Sequence, residues 1–527
     1  MRAVDGKPNI VFIVLDTHRW DRLGCYGYPK DTSPNLDAFA EGAILFENAI
    51  APAQWTIPSH ASMFTGEPAS VHRTLQASDV LPLPFTTLAQ RLRAMGYHTT
   101  GFCNNPLVGV LDNGLRRGFE AFYNYGGAVP SGRSRPSAPL LEMLHPLRTF
   151  VTGLLRGMIF PIQNAFANSV ELFQGALNPF WVRIWTRVAN FKGNTSRSVQ
   201  DMAHFVEEGF SQHTEPYFLF LNLMETHAPY SVPRRYAQRF APLALKNREG
   251  RRFLRHFNAQ ALDWFTPLEK PLSPVQGEVL SQMYDAEVAY QDSLLEELLA
   301  LLDRGERRQD TMVIFVADHG EMLGEHQFMG HGFGVYQELI RVPLLIRLPG
   351  QGEGTRVTAP VSTRRLFHTI LDTAGVEQIE TAYGEPLSIK DESLSRVAET
   401  GADDGSVVFS EAYAPEFALK AMETRKPAVI ERMHCRSTYR AAIDRMHKLV
   451  DIEGVGERFF SLNTDPREEE SALTRYVDAE GARSLRARLK SFLQNAMACS
   501  PRLQGRQTAD TDDAALRQRL RHLGYME

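Results

Sequence analysis

The chain has 527 residues, 43% hydrophobic and 23% charged, with a formal net charge of −5 and a pI near 6.4. This is ordinary globular composition, and it lacks the basic surplus that nucleic-acid binding requires. Four scattered cysteines, Cys25, Cys103, Cys435 and Cys499, exclude a disulfide framework in a chain of this length.

Met1 to Pro8 is short and polar and carries no signal-peptide pattern, and no apolar run is long enough to span a bilayer, so a cytoplasmic location is expected. Asn9 to Leu15 (NIVFIVL) is a continuous β-branched run, the pattern of a strand buried on both faces of a parallel sheet. Thr86 to Gly96 predicts a helix with a glycine stop, and Tyr97 to Cys103 a strand after it. Pro216 to Leu223 (PYFLFLNL) and Thr311 to Ala317 (TMVIFVA) repeat the buried-strand pattern, and Gly277 to Leu302 between them predicts a long helix. Strands alternating with helices imply an α/β fold with a mainly parallel sheet.

Two segments read as insertions into an α/β domain over residues 1–375. One covers about 128–192 and the other 233–274, the latter basic at its start and rich in aromatics. Within the first, Phe150 to Phe191 is aromatic and poor in charge, the pattern of an amphipathic helical insertion packed on the core or, less commonly, of a surface that touches a membrane, a partner subunit or a lipid-like substrate. Past residue 375 the texture changes to short strands (Val407 to Ala412, Tyr439 to Ile443, Lys448 to Ile452) and a helix at Ala482 to Phe492. This predicts a C-terminal α+β subdomain over 376–499, followed by a tail over 500–527.

In open α/β sheets, ligands bind beyond the carboxyl ends of the strands. Asp16 and Thr17 end the first strand, and Asp318 and His319 end TMVIFVA, in the run ADHGEMLGEH. Carboxylates with an imidazole suit a divalent cation, although a single strand-end Asp is more commonly a cap or turn residue. Thr56, in WTIPSH, stands where a helix begins; such a threonine is more often a cap than a nucleophile.

The chain resembles the sulfatase branch of the alkaline phosphatase superfamily over nearly its whole length. The stretches that carry the resemblance are Asn9 to Gly66 (NIVFIVLDTHRW…QWTIPSHASMFTG), PYFLFLNLMETHAPY, YDAEVAYQDS, ADHGEMLGEHQFMGHGFGVYQELIRVPLLIRLPG, FFSLNTDPREEESAL and LRHLGYME. The resemblance implies an alkaline-phosphatase/sulfatase-like sandwich. It also implies one divalent metal ion, with Zn²⁺ or Mn²⁺ favoured over Ca²⁺ or Mg²⁺, held by Asp16, Thr56, Asp318 and His319. Thr56 would be the nucleophile, and His227 and His331 would hold the oxyanion or protonate the leaving group.

The departures from the family are informative. Sulfatases carry Cys or Ser, then x-Pro-x-Arg, and oxidise the first residue to formylglycine; here Thr56 and His60 stand at those positions. Thr17 replaces a second aspartate, and Glu67 a common basic residue. The ligand set resembles the single-metal site of phosphoethanolamine and phosphoglycerol transferases, and threonine nucleophiles also occur in nucleotide pyrophosphatases and phosphopentomutases. The expected activity is hydrolysis of a phosphate or phosphonate ester, of a small-molecule or lipid-like substrate, through a phospho-Thr56 intermediate. The alternatives are phospho-group transfer to an alcohol, sulfuric ester hydrolysis, and a catalytically retired binding protein; oligomeric state is left open.

Overall fold

A computed structural model describes residues 6–126, 192–212, 215–400, 407–469 and 479–511. The first insertion except Lys192, the aromatic stretch 150–191 and the tail beyond residue 511 lie outside the described residues.

Among the described residues, nine strands form one mixed sheet. They are β1 (Asn9–Leu15), β2 (Ile44–Ile50), β3 (His98–Cys103), β4 (Ala121–Asn124), β5 (Tyr217–Leu223), β6 (Thr311–Val316), β9 (Arg341–Val342), β10 (Leu344–Arg347) and β11 (Thr355–Ser362). β7 (Met322–Leu323) and β8 (Met329–Gly330) pair separately as a short ribbon. The main order is β11-β2-β10-β6-β1-β5-β3-β4, with β9 beside β2. β1 runs parallel to both β5 and β6, and only β9 and β10 run against their neighbours. The expected mainly parallel sheet is therefore present.

Alternation along β1 explains its unbroken apolar sequence. Val11, Ile13 and Leu15 enter one core with the helices Thr195–Gln212 and Pro274–Leu302, through Val199, Met202, Leu280 and Leu295. Ile10, Phe12 and Val14 enter the other, with Ala61 and Phe64 of helix Thr56–Thr65 and Phe367 and Ile370 of helix Leu366–Thr373. A strand covered on both faces has no position for a polar side chain until it ends. The long helix starts at Ser273, whose hydroxyl accepts from Gln276 N while the Gln276 side chain returns to Ser273 N, with Pro274 as first helical residue.

After β1 the chain goes to β2 on one side of the sheet and then to β3 on the other, so the strand order reverses at β1. Register sets Leu15 opposite Leu223 of β5 and Val14 opposite Val316 of β6. The residues that follow these three strands thus emerge together at one edge, where this class of sheet binds its ligands.

C-terminal to this sheet, a ribbon of β12 (Gln378–Glu380) and β13 (Pro386–Ser388) precedes a four-stranded antiparallel sheet of β14 (Val408–Ala412), β15 (Tyr439–Ile443), β16 (His447–Ile452) and β17 (Gly456–Ser461). Helix Glu480–Thr511 packs Leu485 and Leu489 onto its Leu449 and Phe459. This unit holds the approach to Thr56. Glu411 N donates to Pro52 O at 3.0 Å, Gln54 Nε2 donates to Tyr413 O at 2.7 Å, and the Trp55 and Phe417 rings lie 6.2 Å apart. Lys448 and Glu468, both fully buried, pair at 2.6 Å, and Glu468 also accepts from Gln337 N at 2.8 Å.

Candidate active site

Asp16 follows β1 directly. Its Oδ2 accepts from Asn105 Nδ2 at 2.5 Å, while Oδ1 is buried without a hydrogen-bond partner. Asp318, two residues past β6, accepts on Oδ1 from Thr17 N at 3.2 Å and His319 N at 2.9 Å, and its buried Oδ2 has no hydrogen-bond partner, lying 3.4 Å from both His60 Nδ1 and His319 Nε2. His319 Nδ1 lies 2.9 Å from Gly320 O, which fixes the proton there and leaves the Nε2 lone pair free. The ligand atoms of Asp16, Asp318 and His319 all lie within 4.8 Å of one another.

Burial pushes the Asp16 carboxyl up to about 6, even with Asn105 holding it down, and pushes Asp318 well above the usual carboxylate range, with Asp16 adding to the effect. Burial also keeps His319 well below the ordinary imidazole range, hence neutral. Two fully buried carboxylates, each with an orphaned oxygen and facing one free imidazole nitrogen, are costly without a positive charge between them. A divalent cation bound by these atoms removes that cost, and the mixed oxygen–nitrogen donor set suits Zn²⁺ or Mn²⁺.

Thr17 stands where the resemblance places another aspartate, and it plays a different part. It holds φ at 59°, a region unfavourable for a β-branched residue. Its hydroxyl donates to Thr226 Oγ1 at 3.2 Å and its carbonyl accepts from Tyr284 Oη at 2.6 Å. Together with the bond from its N–H to Asp318, these contacts hold the strained turn that aims Asp16.

Thr56 is the first residue of helix Thr56–Thr65, all ten residues of which are buried. Its Oγ1 makes no capping bond within the helix and lies 3.4 Å from both His319 Nε2 and Asn105 Nδ2. The helix N-terminus adds a partial positive charge at this hydroxyl. Ser59 Oγ donates to Asp318 O at 2.7 Å, tying the helix to the end of β6. His60, at the expected arginine position, has Nδ1 2.9 Å from Thr56 O, and burial lowers it to about 4. An uncharged imidazole therefore replaces a guanidinium behind the threonine.

His227 and His331 come to the same edge from the loop after β5 and the loop after β8. Their ring centroids are 4.9 Å apart, and His331 is 4.5 Å from His319. His227 Nδ1 lies 2.5 Å from Ala228 O, and burial holds this histidine well below its ordinary range. Burial pulls His331 down too, but Glu321, whose Oε1 lies 3.0 Å from Nδ1, and Asp16 push it up and prevail. Of these two histidines, His227 is thus made a weaker base and His331 a stronger one.

All six residues singled out in the sequence, Asp16, Thr56, His227, Asp318, His319 and His331, converge on this edge. Three further residues escaped the sequence reading. Asn105 accepts on Oδ1 from Leu107 N at 2.8 Å as cap of helix Pro106–Gly109, so its NH₂ must face Asp16 and Thr56. In sequence, Asn-Asn-Pro signals only that cap. Glu321, three residues past Asp318, orients His331. Lys192 pairs with buried Glu287 at 3.0 Å and donates to Glu225 O at 2.7 Å, near His227.

A family model described as Sulfatase matches residues 8–376. The uncharacterized sulfatase YidJ of Escherichia coli strain K12 is 25% identical over 384 residues, covering 72% of this chain and 70% of that protein. The arylsulfatase of Clostridium perfringens is 26% identical over 411 residues, covering 73% and 78%. The crystal structure of a phosphonate monoester hydrolase of Agrobacterium radiobacter superposes with a TM-score of 0.62 at 20% identity, covering 93% of this chain and 96% of that one. Members of the family typically bind a divalent metal, in keeping with the acidic and histidine cluster at Asp16, Asp318 and His319. The chain belongs to the sulfatase family, as a hydrolase with the fold of the alkaline phosphatase superfamily.

Proposed function

We propose that the protein hydrolyses phosphate or phosphonate esters through a covalent phospho-Thr56 intermediate. The observation that carries this reading is the Thr56 hydroxyl, uncommitted to any cap and set at 3.4 Å from His319 Nε2, beside the two orphaned carboxylate oxygens. Oxidation of a threonine side chain yields a ketone and not the formylglycine aldehyde, so a hydrated aldehyde is not open to this chain. A hydroxyl nucleophile is.

A divalent cation held by Asp16, Asp318 and His319, with Thr56 as a further ligand, would act as a Lewis acid that lowers the hydroxyl pKa and draws charge from the phosphoryl group. Thr56, deprotonated before the cycle begins, attacks phosphorus in line as the Oγ1 alkoxide and is released as the alkoxide at the end. The P–Oγ1 bond forms as the bond to the leaving oxygen breaks. Asn105 Nδ2 and the N-terminus of helix Thr56–Thr65 stabilise the equatorial charge. His331, whose basicity Glu321 raises, gives its proton to the leaving oxygen, and His227 hydrogen-bonds the phosphoryl group. Water then attacks phospho-Thr56, and the neutral His331 takes its proton, so one group serves as acid and then base.

The test is a rate panel on the metal-reconstituted protein with p-nitrophenyl phosphate, its diester, a phosphonate monoester and p-nitrophenyl sulfate. Phosphorus esters are expected to lead. A leading sulfate ester would overturn the reading in favour of sulfuric ester hydrolysis, the activity named in the relatives from Clostridium perfringens and elsewhere. Asn105→Ala is expected to lower kcat on the best phosphorus ester by about 10²-fold, the usual cost of one oxyanion donor. An unchanged kcat would remove Asn105 from the mechanism.

A further inference from the structure

The second insertion carries a surface that the chemistry does not use. Between Arg234 and Arg255 the sequence has eight Lys or Arg residues against the single acid Glu249, in a chain whose total charge is −5. These residues occupy three short helices, Arg234–Phe240, Pro242–Lys246 and Arg248–Phe257, which lie along helix Pro274–Leu302. All eight side chains are exposed. Among the described residues, the one carboxylate at ion-pair distance from any of them is Asp31, 2.6 Å from Arg239, in a pair that is 61% and 62% exposed and so contributes little. Arg251 and Arg255 donate to the backbone carbonyls of Leu245 and Arg251. The charge is left for something outside the chain.

Continuity with the active site makes the position of this face meaningful. Asn258, at the end of the third helix, accepts from Tyr230 N at 3.0 Å and donates to Tyr230 O at 2.8 Å, three residues past His227. Farther along the insertion, Trp264 and Phe265 press their backbone on the glycines that flank His331. A Cβ on Gly330 would sit 1.8 Å from Trp264 O, and one on Gly332 would sit 2.5 Å from Phe265 O. The insertion thus braces the loops of both histidines while presenting its cations outward.

The shape of the face decides between anionic partners. Phe240, Ala244 and Phe257 are turned into the core, Leu243, Leu245, Phe253 and Leu254 are half-buried, and the one exposed ring among the cations is the His256 imidazole. Tyr236 packs on Tyr290, with centroids 5.2 Å apart. A sugar or nucleic-acid chain bound here would find no exposed Phe, Tyr or Trp face to stack on. The cations spread over the outer faces of three helices, with an open hollow of about 500 Å³ bordered by Glu249, Arg252, Phe253, Arg255, His256 and Gln276. A broad basic face with no exposed apolar wedge fits a planar array of headgroup charges, bound by electrostatic attraction without insertion.

We propose that this face docks the protein on an anionic phospholipid bilayer, with the active-site histidines held beside the surface it binds. The test is co-sedimentation of the full chain with phosphatidylcholine vesicles, with and without phosphatidylglycerol. Binding is expected only to the anionic vesicles, and it should weaken as salt is raised. The triple variant Arg251→Glu, Arg252→Glu, Arg255→Glu should bind at least about a hundredfold more weakly, given the attraction per cation at such a surface. Its thermal midpoint and its rate on a soluble ester should match the unaltered protein, which shows that it is folded. A control that reverses the same number of exposed cations elsewhere, Arg483→Glu, Arg488→Glu, Lys490→Glu on the terminal helix, should bind vesicles as the unaltered protein does. Equal loss in the control would reduce the effect to net charge and overturn the proposal. So would failure to bind anionic vesicles, or tighter binding of the face to soluble heparin or polyphosphate than to vesicles.

Discussion

Thr56→Ala is expected to lower kcat on the best phosphorus ester by about 10³-fold or more, the scale on which loss of a covalent nucleophile is felt. The fold should persist. Thr56 Oγ1 caps nothing, and its contacts at 3.4 Å to His319 and Asn105 are weak. Alanine is also a good residue for the first turn of a helix whose remaining side chains are buried. Loss of such a hydroxyl costs about 1 kcal/mol or less in stability, and the buried γ-methyl group lost with it about 1 kcal/mol more. Thr56→Ser separates chemistry from packing, since it keeps the hydroxyl and removes a methyl group; it should retain most of the activity. A rapid quench of the unaltered enzyme during turnover, followed by peptide mass spectrometry, should find phosphate on the peptide containing Thr56 and none in the alanine variant. Near-normal turnover by Thr56→Ala would mean that water attacks the ester directly and that the threonine is only a ligand or a spacer.

The sequence disclosed the parts of this molecule whose reason is local. The interiors of β1 and β6 are continuous apolar runs because helices cover both faces of the sheet there, and the first polar residue after each run marks where cover ends. Asp16 and Asp318 were therefore visible as site candidates. β2 (ILFENAI) was not visible as a strand, since Glu47 and Asn48 interrupt its run where the sheet meets half-exposed surroundings. β10 has only four residues and runs against its neighbours, and direction leaves no mark on composition. Thr56 in isolation reads as a cap, and only the resemblance of the surrounding stretch raised it above that. Asn105 stayed hidden for a different reason. Its cap on Leu107 accounts fully for an asparagine before proline, while its reach to Asp16 depends on β3 lying beside β5 and β5 beside β1. That adjacency is a property of strand order, which no window of sequence contains.

Asp318→Asn is expected to raise the stability of the metal-free protein while abolishing its response to metal. In the metal-free fold, Asp16 and Asp318 face each other with orphaned oxygens, and burial raises both. A carboxyl raised from 3.8 to about 6 stabilises the fold below its unfolded value and ceases to do so as pH rises through the folded one. The metal-free protein should therefore lose stability as pH climbs across that window. An asparagine at 318 can keep its oxygen on Thr17 N and His319 N and turn its amide NH₂ toward Asp16, replacing a repulsion with a hydrogen bond. The same NH₂ then occupies the position of a cation ligand and cannot serve as one. In thermal melts, added Zn²⁺ or Mn²⁺ should raise the midpoint of the unaltered protein by several degrees, because a ligand bound only by the folded state stabilises it in proportion to the logarithm of its concentration over Kd. Asp318→Asn should begin at an equal or higher midpoint, show a flatter fall with pH, and stay fixed when metal is added. A metal-dependent shift of full size in this variant would place the cation elsewhere, and a lower starting midpoint would mean that the paired carboxylates stabilise the fold even without an ion. Stability given up in the metal-free state in exchange for a cation site is the trade expected where buried charges serve chemistry and not folding.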